Sequence, residues 1–149
     1  PFYCGCGYEY EGVDFMKIHH VGYLTKNLNK SEFLFEKLGF IVEKEKAYDA
    51  LRKIHIVFML NGDYRIELIE PDGEESSVWG LLKRYKNTPY HFCYEVDDMN
   101  AAVKKMREGG HIMLSEPMPA SCLDGKLCCF MLHKDMGIIE LCECEGFSE

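Results

Sequence analysis

No apolar run in this chain approaches the roughly 20 residues that a membrane-spanning helix needs, so no membrane partner is expected. Positive charge is also scarce. The 17 Lys and Arg residues are outnumbered by 25 Asp and Glu, giving a net charge of -8. Proteins that grip phosphate backbones need a basic face, so no nucleic-acid partner is expected either. The first residues, PFYCGCGYEYEGVDF, lack the basic start and apolar core of a secretory signal.

Cysteine, by contrast, is abundant, at eight residues. A small secreted domain would use them as disulfides. With 47% hydrophobic residues the core is sufficient without bridges. Cys93, Cys128, Cys129, Cys142 and Cys144 fall in strand-like runs, where a thiol acts as a small buried apolar group. The expected compartment is a reducing cytoplasm.

Residues 17–25 read as a strand, and 30–40 as a helix in which Phe33, Leu34 and Leu38 recur at helical spacing before a Gly39 cap. Strands follow at 41–46, 53–60 and 64–70, the last two joined by the hairpin turn Asn61-Gly62-Asp63. A connector over 71–88 holds a short helix with Val78, Leu81, Leu82 and Tyr85 inward. The same order then returns. A strand at 90–96 leads to a helix capped by Asp97 or Asp98, with Met99, Ala102, Val103 and Met106 as its apolar stripe. Strands at 111–117, 126–132 and 138–144 complete it. The expected class is α+β, with two tandem βαβββ modules (17–70 and 89–145) in a curved, barrel-like mixed sheet. Residues 1–15 form an extension and 146–149 a tail, with Met16 a natural start.

The duplication places chemistry as well as structure. His20 opens the first strand of module one, and Glu67 lies in its last strand within Ile66-Glu67-Leu68. His91 and Glu140, within Ile139-Glu140-Leu141, occupy the matching places in module two. The His-to-Glu separations are 47 and 49. First and last strands lying side by side would bring each pair together, and a pseudo-twofold axis would bring the pairs face to face. Two imidazoles and two carboxylates suit one borderline divalent ion: nickel, cobalt, manganese or zinc. Six-coordination would leave two positions for substrate oxygens. His19 competes with His20, but His20-Val21-Gly22-Tyr23 aligns with His91-Phe92-Cys93-Tyr94, which turns His19 to the opposite face. His55, His111 and His133 lack matching partners. Glu70 and Glu143 also correspond. A zinc ion bridging Cys4-Gly-Cys6 and Cys142-Glu-Cys144 is a further reading, although its spacing is tighter than zinc motifs use.

Several stretches resemble the vicinal oxygen chelate superfamily: IHHVGYLTKNL with FLFEKLGF, YRIELIEPDGEESS, YHFCYEVDDMNAAVKKM and FMLHKDMGIIELCE. The stretch from Glu67 to Met99 is most similar to methylmalonyl-CoA epimerase and to short bacterial glyoxalase I-like (lactoylglutathione lyase) proteins. The resemblance implies that His20, His91 and Glu140 bind the metal, with Glu67 at a position that is Glu or Gln in different members. It implies proton transfer next to a carbonyl through a metal-stabilised enediolate, with Glu140 as first choice of base and Glu67 as second. The substrate would be an acyl-CoA thioester or a glutathione hemithioacetal. Arg52, Lys53, Lys104, Lys105 and Arg107 are available to its anionic groups, and the loop 117–125, with Ser121 and Cys122, would cover the site. Exposed edge strands, which relatives pair, imply a homodimer. The alternative is a non-catalytic small-molecule binder of the bleomycin-resistance type, which would carry no stoichiometric divalent ion.

Overall fold

The computed structural model describes residues 16–144. The first half runs β1 (Ile18–Leu24), α1 (Leu28–Glu36), β2 (Ile41–Asp49), β3 (Ile54–Asn61) and β4 (Tyr64–Pro71). A helix α2 (Trp79–Tyr85) leads to β5 (Thr88–Val96), α3 (Met99–Glu108), β6 (Ile112–Met113), β7 (Met118–Ala120), β8 (Lys126–His133) and β9 (Gly137–Glu143). The strands form one mixed sheet in the order β2-β3-β4-β1-β5-β9-β8-β6, with β7 also on β8. It is open and curled, and does not close into a barrel. The two halves meet where β1 runs antiparallel to β5.

Both faces of the central strands are covered, which explains their nearly unbroken apolar runs. On the outer face α1 seats Leu28 against Val57, Met59, Ile66 and Leu68. On the same face of the other half, α3 seats Met99, Ala102 and Val103 against Met131, Ile139 and Leu141. The alternate residues Ile54, Ile56, Phe58, Ile69, Cys93, Cys128 and Cys142 form the inner core, closed by Val78 and Leu82 around α2. Strand periodicity of two therefore turns Glu67 and Glu140 inward, since their neighbours Ile66, Leu68, Ile139 and Leu141 face the helices.

Gly39 takes the left-handed conformation (φ +96°) after α1, and Gly62 (φ +59°) turns the β3–β4 hairpin. Three points depart from the expected pattern. Phe33, Leu34 and Leu38 are exposed, at 55, 60 and 69%. The face of α1 that packs inward is set instead by Leu28, by Ser31, whose hydroxyl bonds Thr25 at 2.6 Å, and by Phe35. Tyr85 of α2 is exposed as well. The strand expected over 111–117 is broken. Past Met113 the Leu114 and Ser115 N–H groups both donate to the Phe130 carbonyl while the Ser115 hydroxyl accepts the Phe130 N–H, so two residues oppose one. Pro117, with no N–H, does not rejoin the ladder before Met118.

Glu70 and Glu143 correspond in role too. Glu70 Oε2 accepts the Leu28 N–H at the start of α1, and Glu143 Oε2 accepts the Met99 N–H at the start of α3 (2.7 Å). Asn27 and Asp98 cap the same turns through Lys30 N and Ala101 N, each at 3.0 Å. Replacing Glu70 or Glu143 by Ala should each destabilise the fold by about 1–2 kcal/mol in urea unfolding followed by circular dichroism, because a charged helix-terminus acceptor is lost.

Candidate metal centre

Three strand registers assemble the centre. In the antiparallel β1/β5 pair His20 lies opposite Cys93 and Gly22 opposite His91. In the parallel β1/β4 pair Glu67 lies beside Gly22, and in the parallel β5/β9 pair Glu140 lies beside Cys93. The four predicted side chains converge, and one ligand atom from each lies within 4.8 Å of all the others. His20 Nε2 is 2.9 Å from Glu67 Oε2, 3.2 Å from Glu140 Oε2 and 3.3 Å from His91 Nε2. His91 Nε2 is 3.0 Å from Glu140 Oε2 and 3.8 Å from Glu67 Oε2. All four residues are buried, at 1–5% exposure.

These separations suit a divalent ion. Metal–nitrogen and metal–oxygen bonds of about 2.1 Å at right angles set adjacent donors about 3 Å apart. Glu140 Oε2 is buried with no hydrogen bond of good geometry among the described residues. With the imidazole Nε2 atoms of His91 and His20 at 3.0 and 3.2 Å, that oxygen needs positive charge beside it, from an imidazolium or a metal ion. His20, Glu67, His91 and Glu140 thus fit the role of metal ligands by donor type, spacing and burial. Phe58 and Phe130, paired with Glu67 and Glu140 across their hairpins, stand edge-on to His20 and His91 at ring separations of 5.3 and 5.2 Å. They shield the imidazoles from water.

Burial opposes charge on His20, but Glu67 and Glu140 outweigh it and push its pKa up to about 10. Burial resists ionisation of Glu140 as well, yet the imidazoles of His20 and His91 hold its carboxyl well below the usual carboxylate range. His20 thus lies between two carboxyl groups, 2.9 Å from Glu67 Oε2 and 3.2 Å from Glu140 Oε2, that favour its charged form.

Two residues of the centre escaped the motif reading. A Cβ on Gly22 would fall 2.0 Å from His91 Cε1, so the His91 ring occupies the space that glycine leaves. Its signal was the small residue two places after each histidine, Gly22 and Cys93. His19 does not turn away as expected. Its Nδ1 lies 2.8 Å from His20 Nδ1, because a bulge between Ile18 and His20 breaks the strand alternation. Burial, then the neighbouring His20 and Arg65 charges, lower the His19 pKa to about 4.

A cavity of about 30 Å³ borders Glu67 and Glu140 and is walled by Ile56, Tyr90, Cys122 and Phe130. Arg52, Val78, Tyr90 and Phe130 also line a cavity of about 270 Å³. Cys122, in the short turn after β7, places its thiol 3.9 Å from Glu67 Oε1. Burial and Glu67 push that thiol's pKa up, and burial likewise keeps the Tyr90 phenol protonated. Of the five basic candidates only Arg52, paired with Asp49 at 2.8 Å, lines these cavities. Lys53 pairs with Glu75, Lys104 with Glu108, and Arg107 faces depressions beside α3. His55 packs on Tyr48, and His111 on His133. Cys4 and Cys6 lie outside the described residues; Cys142 and Cys144 have their sulfurs 3.6 Å apart.

A metal ion must displace the His20 proton. Its apparent affinity should rise by up to about tenfold per pH unit from neutrality towards pH 10 and then level off, in chelator-competition titrations. The metal-free protein should show the opposite trend. A raised folded-state pKa gives stability that is complete below the ordinary histidine value of 6.5 and is lost as pH rises through about 10, so its melting temperature should fall over that window. Gly22→Ala should displace His91 and weaken zinc binding on the order of a hundredfold, with the far-ultraviolet spectrum retained.

Comparison with known proteins identifies relatives of the whole fold. Residues 19–130 match the glyoxalase/bleomycin resistance protein/dioxygenase superfamily. The mitochondrial methylmalonyl-CoA epimerase of Dictyostelium discoideum is 29% identical over 84% of this chain and 76% of that protein. An ethylmalonyl-CoA/methylmalonyl-CoA epimerase of Cereibacter sphaeroides is 33% identical over 59% of this chain and 68% of its own length. A solved methylmalonyl-CoA epimerase in complex with methylmalonyl-CoA and NH4+ superposes with a TM-score of 0.75 at 20% identity, covering 89% of this chain and 97% of that one. The chain therefore belongs to the glyoxalase/bleomycin resistance protein/dioxygenase superfamily, with methylmalonyl-CoA epimerases among its relatives.

Proposed function

We propose that this protein is a metal-dependent epimerase that inverts the carbon next to the thioester carbonyl of a branched dicarboxylic acyl-CoA, methylmalonyl-CoA or a near homologue. The observation that carries the reading is that Glu67 and Glu140, supplied by opposite halves, border one cavity beside two imidazoles. Epimerisation removes a proton from one face of a carbon and returns one to the other, which two carboxylates can do.

A divalent ion held by His20, Glu67, His91 and Glu140 would supply a Lewis acid for the negative charge that develops on the carbonyl oxygen. The residues supply the rest. Glu140 is the first base. Its carboxylate is weakly basic while the imidazoles hold it, and it gains basicity as it turns to substrate in a cavity walled by Ile56 and Phe130. Glu67, after taking up a proton from solvent, returns it from the other half, and Glu140 loses the proton it removed to solvent to close the cycle. Tyr90 and Phe130 exclude water from the reacting carbon, and the larger cavity beyond Arg52 takes the chain that leads out to solvent.

The relatives support the acyl-CoA substrate by their names. The test is turnover of the metal-loaded protein in deuterium oxide, with methylmalonyl-CoA and, separately, the methylglyoxal–glutathione hemithioacetal. Deuterium incorporation and epimerisation of the thioester are expected. Conversion of the hemithioacetal alone would make the protein a lactoylglutathione lyase. Turnover of neither, with no bound divalent ion, would make it a binder. Glu140→Gln should lower turnover by on the order of 10²–10⁴-fold. Glu67→Gln should keep deuterium exchange at one face while losing epimerisation.

A further inference from the structure

The two imidazoles of the centre are not equivalent on their outer sides. His91 Nδ1 is buried without a hydrogen-bond partner among the described residues, whereas His20 Nδ1 lies 2.8 Å from His19 Nδ1. We propose that His19 is a positioning residue whose Nδ1 lone pair accepts the Nδ1–H of His20, fixing His20 in the tautomer that leaves Nε2 free for a metal ion. The inference rests on the metal centre proposed above.

Proton bookkeeping carries it. A neutral imidazole has one N–H and one lone pair. At 2.8 Å two ring nitrogens need a proton between them, or their lone pairs repel. If His19 supplied that proton, the single proton of neutral His20 would sit on Nε2, facing Glu67, Glu140 and His91 and blocking the ligand position. A metal-binding His20 therefore donates, and His19 accepts with its own proton on Nε2. The usual outer partner of a metal-binding histidine is a carbonyl or a carboxylate. An imidazole acceptor adds no third negative charge to a buried centre that already holds two carboxylates.

The backbone is built to keep His19 there. The β1 bulge brings its ring alongside His20, edge-on at a ring separation of 5.1 Å. Arg65 Nη1 donates to the His19 carbonyl at 3.1 Å, and Glu43 holds Arg65 with two further bonds of 2.7 and 2.8 Å. Phe58 stands edge-on to both histidines. Cys93 Sγ completes a trio with the two histidines, its ligand atoms all within 4.8 Å of one another, which is the rival use of the same atoms.

The test compares His19→Asn, whose side-chain oxygen reaches the place of Nδ1, with His19→Leu, similar in bulk and without an acceptor. Zinc affinity is measured by chelator competition, and nitrogen-15 NMR reads the tautomer of His20 in the zinc-loaded parent. His19→Leu should bind zinc about 10–100-fold more weakly, while His19→Asn stays within about threefold of the parent. His20 should carry its proton on Nδ1. Parent-like binding by His19→Leu, equal weakness of the Asn and Leu variants, or a bare His20 Nδ1 would each overturn the role of His19 and leave the metal centre standing. Two ions per chain, with a thiolate-to-cobalt band in the cobalt form, would also overturn it and assign the trio to a second ion. A parent that binds no divalent ion would instead remove the centre itself. Should His19→Leu fail to fold, the NMR signature and His19→Asn decide.

Discussion

The register of β1 against β5 is the constraint on which the site depends. Each histidine faces, across the strand pair, the small residue two places after the other: His20 faces Cys93, and His91 faces Gly22. The two imidazoles are thereby set diagonally on one face with their Nε2 atoms 3.3 Å apart. A slip of one residue would turn one of them to the outer face, under a helix. The parallel neighbours β4 and β9 then add one carboxylate from each side. The small residues matter as much as the four converging side chains, because a larger side chain at Gly22 would occupy the space of the His91 ring.

The last strand of each half links the centre to the helices. Glu67 and Glu70 are three residues apart, an odd step, so they point to opposite faces of β4. Glu67 reaches the inner cavity, and Glu70 caps α1 on the outer face. Glu140 and Glu143 repeat this on β9, with Glu143 capping α3. The seat of each helix and the reach of each carboxylate are thus set by one strand's alternation.

That repetition is why His20, Glu67, His91 and Glu140 were legible from the sequence: a matching place in each half sets them apart from isolated polar residues. The element order was legible for the same reason. What was not legible depends on local breaks in periodicity. His19 was expected to face away because strict alternation demands it, and a bulge that leaves no mark in residue type reversed that. The inward face of α1 does not follow its apolar residues Phe33 and Leu34, because the buried Ser31–Thr25 bond and the Glu70 cap set its rotation against the apolar count. The broken strand near Pro117 was marked in the sequence by that proline, read there as the start of a loop.

The charge of the centre narrows what it can hold. Two carboxyl groups buried among apolar side chains need positive charge beside them, because an unpaired buried charge costs several kcal/mol or more. His20 as imidazolium offsets one of them, in keeping with its pKa of about 10. Two neutral imidazoles, two carboxylates and a dication sum to zero, so the divalent state balances the site without borrowed protons. A monovalent ion would leave one negative charge buried and a trivalent ion one positive charge. A dication held there would meet negative charge developing on a bound oxygen at close range, and Phe58 and Phe130, edge-on to the two imidazoles, would keep water from screening the attraction.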